Sequence, residues 1–282
     1  MLINLLKQTN LAIEFTMLHI GARPAGNEPF YYRLVDWFPG SRVIGVEPDE
    51  TLCNHLNANT RQGIEFHPYA LGSGVESRPF YVTRNPECSS LYKPDIPLVE
   101  NYVALAEPMQ IVEETRIDTV TLDAFAAGIN VTDVDFIQID IQGAELDVFR
   151  AGCRVLRDVG LVVSEVEFLP IYENQPLFGD VCSFLTAQDM FFHKFLALSG
   201  RALKPFVMNN NNQFPASHIW TDAVFIRRFD SLPDLKLLKV GVFAEMFGCP
   251  DVAFRCLSMY DHRRGTRLAD VYRQVTAQAA AR

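Results

Sequence analysis

Short apolar runs alternate with helical patterns along most of this 282-residue chain, and this alternation constrains the fold more than any other feature. The apolar runs predict strands at 15–21, 42–48, 64–72, 134–140 and 159–168. The segments between them predict helices at 27–38, 49–59, from near Ala144 onwards, and 176–190. Parallel strands need a connecting element at each crossover, so the pattern predicts an α/β fold with a doubly wound, mostly parallel sheet.

The last two predicted strands, 191–200 and 218–228, have no convincing helix between them. A polar loop that includes NNNNQ at 209–213 joins them instead. Two strands joined by a loop alone pair as a hairpin, so we predict that one of them runs antiparallel to the rest of the sheet.

Helical patterns return after Pro233, at 234–247 and 250–260, followed by a third, weaker one. We therefore predict a main domain over 1–230 and a C-terminal helical extension over 231–282. A role in packing or in homodimer formation would suit this extension.

Residues 73–120 interrupt the alternation of strands and helices. RPFYVT at 78–83 predicts one additional strand, and the following segment, 85–102, is rich in proline and serine. A long irregular loop inside a compact domain is usually functional or mobile, so we expect this segment to matter for the site.

Charge and cysteine content exclude several classes of function. With 25 basic and 34 acidic residues the net charge is −9, and no basic block exists, so we predict no nucleic-acid partner. The six cysteines are scattered without metal-ligand spacing, which predicts reduced thiols and no metal site. No apolar stretch reaches about 18 residues and no signal-peptide pattern opens the chain, so we predict a cytoplasmic protein without a membrane partner.

Ligands of open α/β sheets bind at the carboxyl ends of the strands, so the residues at these ends are the candidate site. Gly21 ends the first strand and permits a tight turn with a ligand close to the backbone; an ordinary strand-to-helix turn is the alternative. Glu47 ends the second strand, where a carboxylate can accept hydrogen bonds from both hydroxyls of a ribose. A solvated strand end is the alternative for Glu47, and its ribose role fits NAD and S-adenosylmethionine equally well.

Asp140 ends the apolar strand FIQID at 136–140 and distinguishes these two cofactors. The chain has no G-x-G-x-x-G motif to hold a pyrophosphate, which argues against NAD. S-adenosylmethionine carries an ammonium and a sulfonium and no phosphate, so a carboxylate at this position favours it. The alternative for Asp140 is a cap for the helix that follows.

From about Phe15 to Arg228 the chain resembles the FkbM family of S-adenosylmethionine-dependent methyltransferases. The matching segments are GVEPDETLCNHLNAN, YALG, SSL at 89–91, VTLDAF at 120–125, IQIDIQGAELDVFRAG and EVEFLPIYENQPLFGD. The resemblance implies a seven-stranded class I methyltransferase sheet, of the Rossmann-like kind. It also implies methyl transfer to a hydroxyl oxygen of a small molecule or sugar.

The resemblance also implies roles for particular residues. Glu47 would hold the ribose, Asp140 would lie beside the methionine end of the cofactor, and Ala70 and Leu71 would lie near the adenine. Gly21 and Ala22 would form the first turn. Gly143 and Glu145 would shape the turn between the fourth strand and its helix.

Two positions depart from the family pattern. His19 stands where the family usually has an aspartate, and Gln142 stands where it usually has a glutamate. A histidine lacks the fixed negative charge expected near the cofactor's ammonium, and we expect Glu165 or Asp140 to supply it.

A general base would take the proton of the acceptor hydroxyl, and Asp140, Glu167 and His193 are the candidates. His193 lies in an apolar run, where a histidine is more often a core or edge residue. Two other functions remain as alternatives. The domain could be a methyltransferase-like scaffold that binds a nucleoside or a partner without catalysis, or an NAD-dependent oxidoreductase, which the missing glycine motif disfavours.

Overall fold

The computed structural model describes residues 1–280 and has ten strands and eleven α-helices in that range. The strands are β1 (Thr16–Ile20), β2 (Arg42–Val46), β3 (Ile64–His67), β4 (Ala70–Leu71), β5 (Glu76–Thr83), β6 (Ile111–Val120), β7 (Phe136–Ile139), β8 (Leu161–Glu167), β9 (Met190–Arg201) and β10 (Ser217–Arg227). The helices are α1 (Leu2–Lys7), α2 (Leu34–Trp37), α3 (Glu50–Asn59), α4 (Ile96–Val99), α5 (Leu122–Gly128), α6 (Glu145–Arg150), α7 (Cys153–Leu156), α8 (Phe178–Ala187), α9 (Asp234–Met246), α10 (Pro250–Arg264) and α11 (Leu268–Ala280).

The main sheet has seven strands in the order β3-β2-β1-β7-β8-β10-β9. Its pairs from β3 to β8 are parallel, whereas β10 is antiparallel to both β8 and β9. The predicted fold class is therefore confirmed, including the hairpin that finishes the sheet. Because the chain order reverses between β1 and β7, a crevice opens at the carboxyl ends of these two strands.

A second sheet of three strands, β4-β6-β5, lies outside the main one. The prediction of one continuous strand over 64–72 was wrong, since β3 belongs to the main sheet and β4 to the second. Pro68 lies between them and has no N–H to continue the ladder. The strand over 111–120 was missed because most of its side chains are exposed, so it carries no apolar alternation.

The predicted helix over 27–38 is much shorter in the structure. Pro29 has an extended backbone with ψ 131°, a 3₁₀ turn follows over Phe30–Arg33, and only α2 is α-helical. Helix α5 was not predicted as such, although its cap is visible in the sequence. The Thr121 side chain accepts a hydrogen bond from the Ala124 N–H and so satisfies one free donor of the first turn.

The C-terminal helices are present as predicted, and α9 packs directly on one face of the main sheet. Phe243 of α9 stacks on Phe136 of β7 with ring centroids 4.7 Å apart. Gly160 permits this close approach, because a Cβ there would lie 2.4 Å from Val240. Residues of α9 and α10 thereby share one hydrophobic core with β1, β2, β7 and β8.

A buried ion pair joins α9 to the amino end of β7. Asp135, whose side chain is fully buried, accepts hydrogen bonds from Lys236 Nζ at 2.5 Å and Lys239 Nζ at 2.9 Å. The Thr16 N–H donates to the same carboxylate at 2.9 Å. These contacts satisfy the buried Asp135 carboxylate, which has no exposure to water of its own.

Two further predictions can be compared with the fold. All six cysteines lie in the described chain and are free thiols. No helix among residues 1–280 has both the length and the apolarity needed to cross a membrane.

Candidate functional site

One cavity of about 630 Å³ lies at the carboxyl edge of the main sheet. Its floor comes from the ends of β1, β2, β7 and β8, and its far wall from the β9–β10 hairpin. Strands β5 and β6 and the segment 85–109 cover it. The segment that the sequence marked as functional or mobile is therefore part of the site.

Gly21 forms the turn that opens the cavity at the end of β1. Its φ is +80°, and a Cβ at this position would lie 1.9 Å from the Asp140 carbonyl oxygen, so no other residue fits. The N–H groups of Gly21 and Ala22 both donate to the Val46 carbonyl, at 2.9 and 3.0 Å. Ala22 supports the turn from within the core and does not line the cavity.

Glu47 lies at the end of β2 and is only 5% exposed. Its Oε1 accepts hydrogen bonds from Arg23 Nη2 at 3.0 Å and from the Asp49 N–H at 3.2 Å. Burial raises the pKa of Glu47, and the Arg23 charge opposes this effect. Oε2 accepts no hydrogen bond from any group in residues 1–280, so it is available to a ligand in the cavity.

Arg23 was not identified from the sequence. It pairs with both Glu47 and Asp49 and so orients the predicted ribose carboxylate. Ala70 and Leu71 of β4 are buried beside this end of the cavity and line it together with Tyr69. These three side chains provide an apolar surface suited to a flat ring.

Carboxylates from β8, the β7–α6 turn and α6 form a cluster, and two of them, Asp140 and Glu165, line the cavity. Asp140, Glu145 and Glu165 each place an oxygen within 4.8 Å of the others. Burial raises the pKa of Glu145 to about 8, with the Asp140 charge adding to this effect. Burial and then the charges of Asp140 and Glu167 raise the pKa of Glu165 well above its usual value. Without a ligand these carboxyl groups therefore keep protons to higher pH than usual, and a cation bound beside them would favour their ionised forms.

Gln142 lies between these carboxylates and holds two of them. Its Nε2 donates to Asp140 Oδ1 at 2.7 Å and to Glu165 Oε2 at 2.6 Å, while its Oε1 lies 2.8 Å from the Tyr172 hydroxyl. A glutamate here would have no N–H to donate. The departure from the family pattern at this position therefore has a physical role, which the sequence did not reveal.

Glu145 has a structural role at the same turn, as the resemblance implied. Its carboxylate is 2% exposed and accepts the Ile141 N–H at 2.8 Å, which fixes the turn that follows β7. Gly143 has a φ of +100° within this turn.

Two hydrogen bonds hold the segment 85–109, which covers the cavity, against Gln142 of this turn and against Tyr172. The Ser90 hydroxyl donates to the Gln142 carbonyl at 2.7 Å, and the Tyr172 hydroxyl lies 2.9 Å from the Cys88 carbonyl. Ser89, Ser90 and Leu91, the SSL of the family resemblance, all line the cavity. The cover is thereby positioned by the same residues that arrange the carboxylates.

The three predicted general bases are separated by the structure. Asp140 and Glu167 line the cavity, and Glu167 is 2% exposed at the end of β8. Burial, followed by the charges of Glu145 and Asp140, raises the pKa of Glu167 well above its usual value. His193 is exposed on the edge strand β9 and does not line the cavity.

His19 points away from the cavity. Its neighbour Ile20 lines the cavity, and alternation along β1 directs the two side chains to opposite faces of the sheet. His19 Nδ1 lies 2.8 Å from the Tyr32 hydroxyl, and burial lowers the pKa of His19 to about 4. The imidazole is therefore neutral at pH 7 and contributes no charge to the site.

Comparison with known families agrees with this geometry. The Methyltransferase FkbM domain matches residues 19–192, which is more than half of the chain. The chain belongs to the FkbM methyltransferase family. It is accordingly a methyltransferase that uses S-adenosylmethionine. No curated protein sequence matches it significantly.

Solved structures of methyltransferases share only a distant likeness with the chain. The magnesium protoporphyrin IX methyltransferase ChlM from Synechocystis PCC 6803, with bound SAM, is 8% identical, with a TM-score of 0.37 over 80% of this chain and 76% of that one. The 23S rRNA methyltransferase ErmE is 11% identical, with a TM-score of 0.36 over 86% and 76% of the two chains. Similarities this weak carry no argument about the substrate.

The residues present fit S-adenosylmethionine. Gly21 lines the cavity at a tight turn, and no glycine-rich phosphate cradle follows it. Asp140, Glu165 and Glu167 offer oxygen acceptors, and a bound ammonium or sulfonium would favour the ionised forms of these carboxyl groups. The chemistry of this donor set agrees with a cationic cofactor that has no phosphate.

Proposed function

We propose that this methyltransferase acts on a hydroxyl oxygen of a small molecule or sugar, with Glu167 as the general base. The observation that carries the proposal is the single cavity in which Glu47, Asp140 and Glu167 lie at the ends of three strands of one sheet. A covered cavity of about 630 Å³ has the size of small-molecule sites.

In this proposal the carboxylates and the β4 residues of the cavity have separate tasks. Glu47 binds the ribose hydroxyls through its available oxygen, and Ala70 and Leu71 pack against the adenine. Asp140 and Glu165 face the cationic methionine end and supply the charge that His19 does not. When bound, S-adenosylmethionine supplies the methyl group, whose bond to sulfur breaks as a bond to the acceptor oxygen forms.

Glu167 takes the proton of the acceptor hydroxyl in this scheme. Its raised pKa makes it a stronger base than an exposed glutamate, and the neighbouring positive charge of the cofactor favours its ionised form. Asp140 is a weaker candidate, because one of its oxygens already accepts a hydrogen bond from Gln142. His193 lies outside the cavity and has no role in the scheme.

We include the other partner predictions in the same proposal. The covered cavity and the absence of a basic block favour a small acceptor over a nucleic acid. Homodimer formation and a cytoplasmic location stay predictions from the sequence.

Calorimetric titration with S-adenosylmethionine, S-adenosylhomocysteine and NAD tests the cofactor site. We expect both adenosyl ligands to bind and NAD not to bind. Asp140→Ala and Glu47→Ala should each weaken binding about 10-fold or more, since each removes a charge-assisted contact. Glu113→Ala, an exposed carboxylate on β6, is the matched control and should leave affinity unchanged.

Glu167→Gln then separates an enzyme from a non-catalytic scaffold. We expect S-adenosylhomocysteine to bind this variant within about 3-fold of the unmodified protein, while methyl transfer falls by about 100-fold or more. Unchanged turnover in Glu167→Gln would refute its role as the base. Tight cofactor binding with no methyl transfer across a broad panel of hydroxyl acceptors would favour the scaffold.

A further inference from the structure

Arg201 at the end of β9 lines the cavity and has no acidic partner. Its guanidinium lies over the Trp220 ring, 4.9 Å from the centroid. Nη1 donates to the carbonyl of the preceding residue, Gly200, at 2.6 Å. Nε is buried without a hydrogen-bond partner, and Nη2 donates to no group in residues 1–280. A buried, unpartnered N–H beside a cavity indicates a missing acceptor.

The cavity has a second arginine, Arg23, and the two arginines differ in whether acidic residues balance their charge. Arg23 is neutralised by Glu47 and Asp49. No carboxylate of the described chain lies within 4.0 Å of the Arg201 nitrogens, although Glu165 and Glu167 line the same cavity. Arg201 is therefore a free positive charge in an otherwise acidic cavity.

Sheet topology places Arg201 far from the predicted ribose site. Four strand spacings separate β2 from β10, the strand of Trp220, which corresponds to about 19 Å at 4.8 Å per spacing. Three spacings, or about 14 Å, separate β7 from β9. Trp220 is the register partner of Glu167, so the proposed base lies between the cofactor end and the arginine end.

The surroundings of Arg201 also define the shape of its ligand. Leu105, Met109 and Ile171 line the cavity and belong to one apolar cluster against which Trp220 packs. Trp220 covers one face of the guanidinium, and the guanidinium edge that carries Nε–H and Nη2–H has no hydrogen-bond partner in residues 1–280. Two parallel N–H groups match the two oxygens of a carboxylate.

We propose that the methyl acceptor is a hydroxy acid whose carboxylate binds Arg201 and whose apolar body packs on Leu105, Met109 and Ile171. This inference rests on the proposed methyl transfer to a hydroxyl and names the class of acceptor. The carboxylate would anchor the molecule at Arg201 while its hydroxyl reaches Glu167.

The test uses pairs of ligands that differ only in charge. Meta-hydroxybenzoate, mandelate and beta-hydroxyoctanoate are each titrated beside the corresponding primary amide, with S-adenosylhomocysteine saturating. Trp220 fluorescence in a Trp37→Phe background reports binding, since these are the two tryptophans of the chain. We expect at least one acid to bind about 10- to 100-fold more tightly than its amide, the range for a hydrogen-bonded charge.

Three variants assign this preference to Arg201. Arg201→Gln should reduce the ratio of acid to amide affinity to about one, and Arg201→Lys should retain part of it because the charge remains. Arg157→Gln removes an exposed arginine elsewhere and should leave the ratio unchanged. Affinity for S-adenosylhomocysteine should stay the same in all three variants.

Each contrary result has a distinct meaning. The inference is overturned if no acid binds better than its amide, or if the preference persists in Arg201→Gln. A loss of S-adenosylhomocysteine affinity in Arg201→Gln would overturn it as well, because Arg201 would then hold the cofactor's own carboxylate. Failure of the unmodified protein to bind S-adenosylhomocysteine would overturn the proposed function together with the inference.

Discussion

Strand β7 is flanked by two aspartates, Asp135 before it and Asp140 after it, whose surroundings differ in charge. Two lysines of α9 and a backbone N–H surround Asp135. Asp140 instead faces Glu145 and Glu165, with one amide group between the charges. At the amino end of β7, lysines balance the charge of Asp135, and this pairing stabilises the fold. At the carboxyl end, three carboxyl groups lie close together, an arrangement that favours a cationic ligand.

Asp135→Ala should have the largest effect on stability. It leaves Lys239 without an acidic partner and Lys236 with only the exposed Asp133, and breaking a buried pair costs about 3–5 kcal/mol. Urea unfolding measures the change. Asp133 binds the same Lys236 but is 63% exposed, so Asp133→Ala should cost less than about 1 kcal/mol. Equal losses in the two variants would contradict the difference between buried and exposed pairs.

Gln142→Met tests the side-chain amide that lies between Asp140 and Glu165 at the carboxyl end of β7. It keeps the side-chain length but removes both N–H donors to Asp140 and Glu165, so we expect a loss of about 1–3 kcal/mol at pH 8. The loss should be smaller at pH 5, where protonation removes the repulsion. Urea unfolding at the two pH values provides the comparison, and a pH-independent loss would show that the contact with Tyr172 is what matters.

Asp140→Asn should weaken cofactor binding without lowering the stability of the fold. Removing one of several like charges should leave the free energy of unfolding unchanged or increase it by up to about 1 kcal/mol, while S-adenosylmethionine affinity falls about 10-fold. The opposite sign to Asp135→Ala is the essential result. A destabilised protein that binds the cofactor normally would show that Asp140 serves the fold, as a helix cap would.

The acidic cluster should also give the protein an unusual dependence on pH. The pKa of Glu145 is raised to about 8, and those of Glu165 and Glu167 are raised as well, so the folded chain keeps protons that the unfolded chain loses above its ordinary glutamate pKa of about 4.5. The unfolded state therefore binds fewer protons, and the contribution of the cluster to stability falls as pH rises from about 4.5 to about 8.

Urea unfolding between pH 5 and pH 8 measures this slope, and Glu145→Gln should reduce it. A cationic ligand favours the ionised carboxylates, so binding of S-adenosylmethionine should release protons and strengthen as pH rises across the same range. Titration in buffers of different ionisation enthalpy detects the released protons. Binding that weakens with rising pH would contradict the acidic site.

His19→Asn should have the smallest effect. The imidazole is neutral and turned away from the cavity, so cofactor affinity should change by less than about 2-fold, and stability by about 1 kcal/mol from the altered contact with Tyr32. Calorimetry with S-adenosylhomocysteine is the measurement. A loss of 10-fold or more would mean that His19 takes part in the site.

Much of the site could be predicted because it depends on strand order and strand ends. Gly21, Glu47, Leu71 and Asp140 follow apolar runs in the sequence, and the carboxyl ends of parallel strands meet at one edge of a sheet. The structure does bring these four residues to one cavity. Their roles toward the cofactor stay predictions until binding is measured.

Other features of the fold and the site cannot be recognised from the local sequence. Gln142 resembles any exposed turn residue until the fold places Tyr172 and Glu165 beside it, 30 and 23 positions along the chain. Strand β6 was missed because its exposed side chains show no period. The sequence left open whether His193 faces the site, and only the fold shows it exposed on the edge strand β9.

The sequence by itself determined the α/β class, the closing hairpin and the family, because these follow from local periodicity and short motifs. Only the tertiary structure decided which charges are paired. Asp135 and Lys236 lie 101 positions apart and become partners through packing of α9, while Arg201 is left unpaired by the same folding. Pairing depends on distances across the core, and no local pattern of residues encodes those distances.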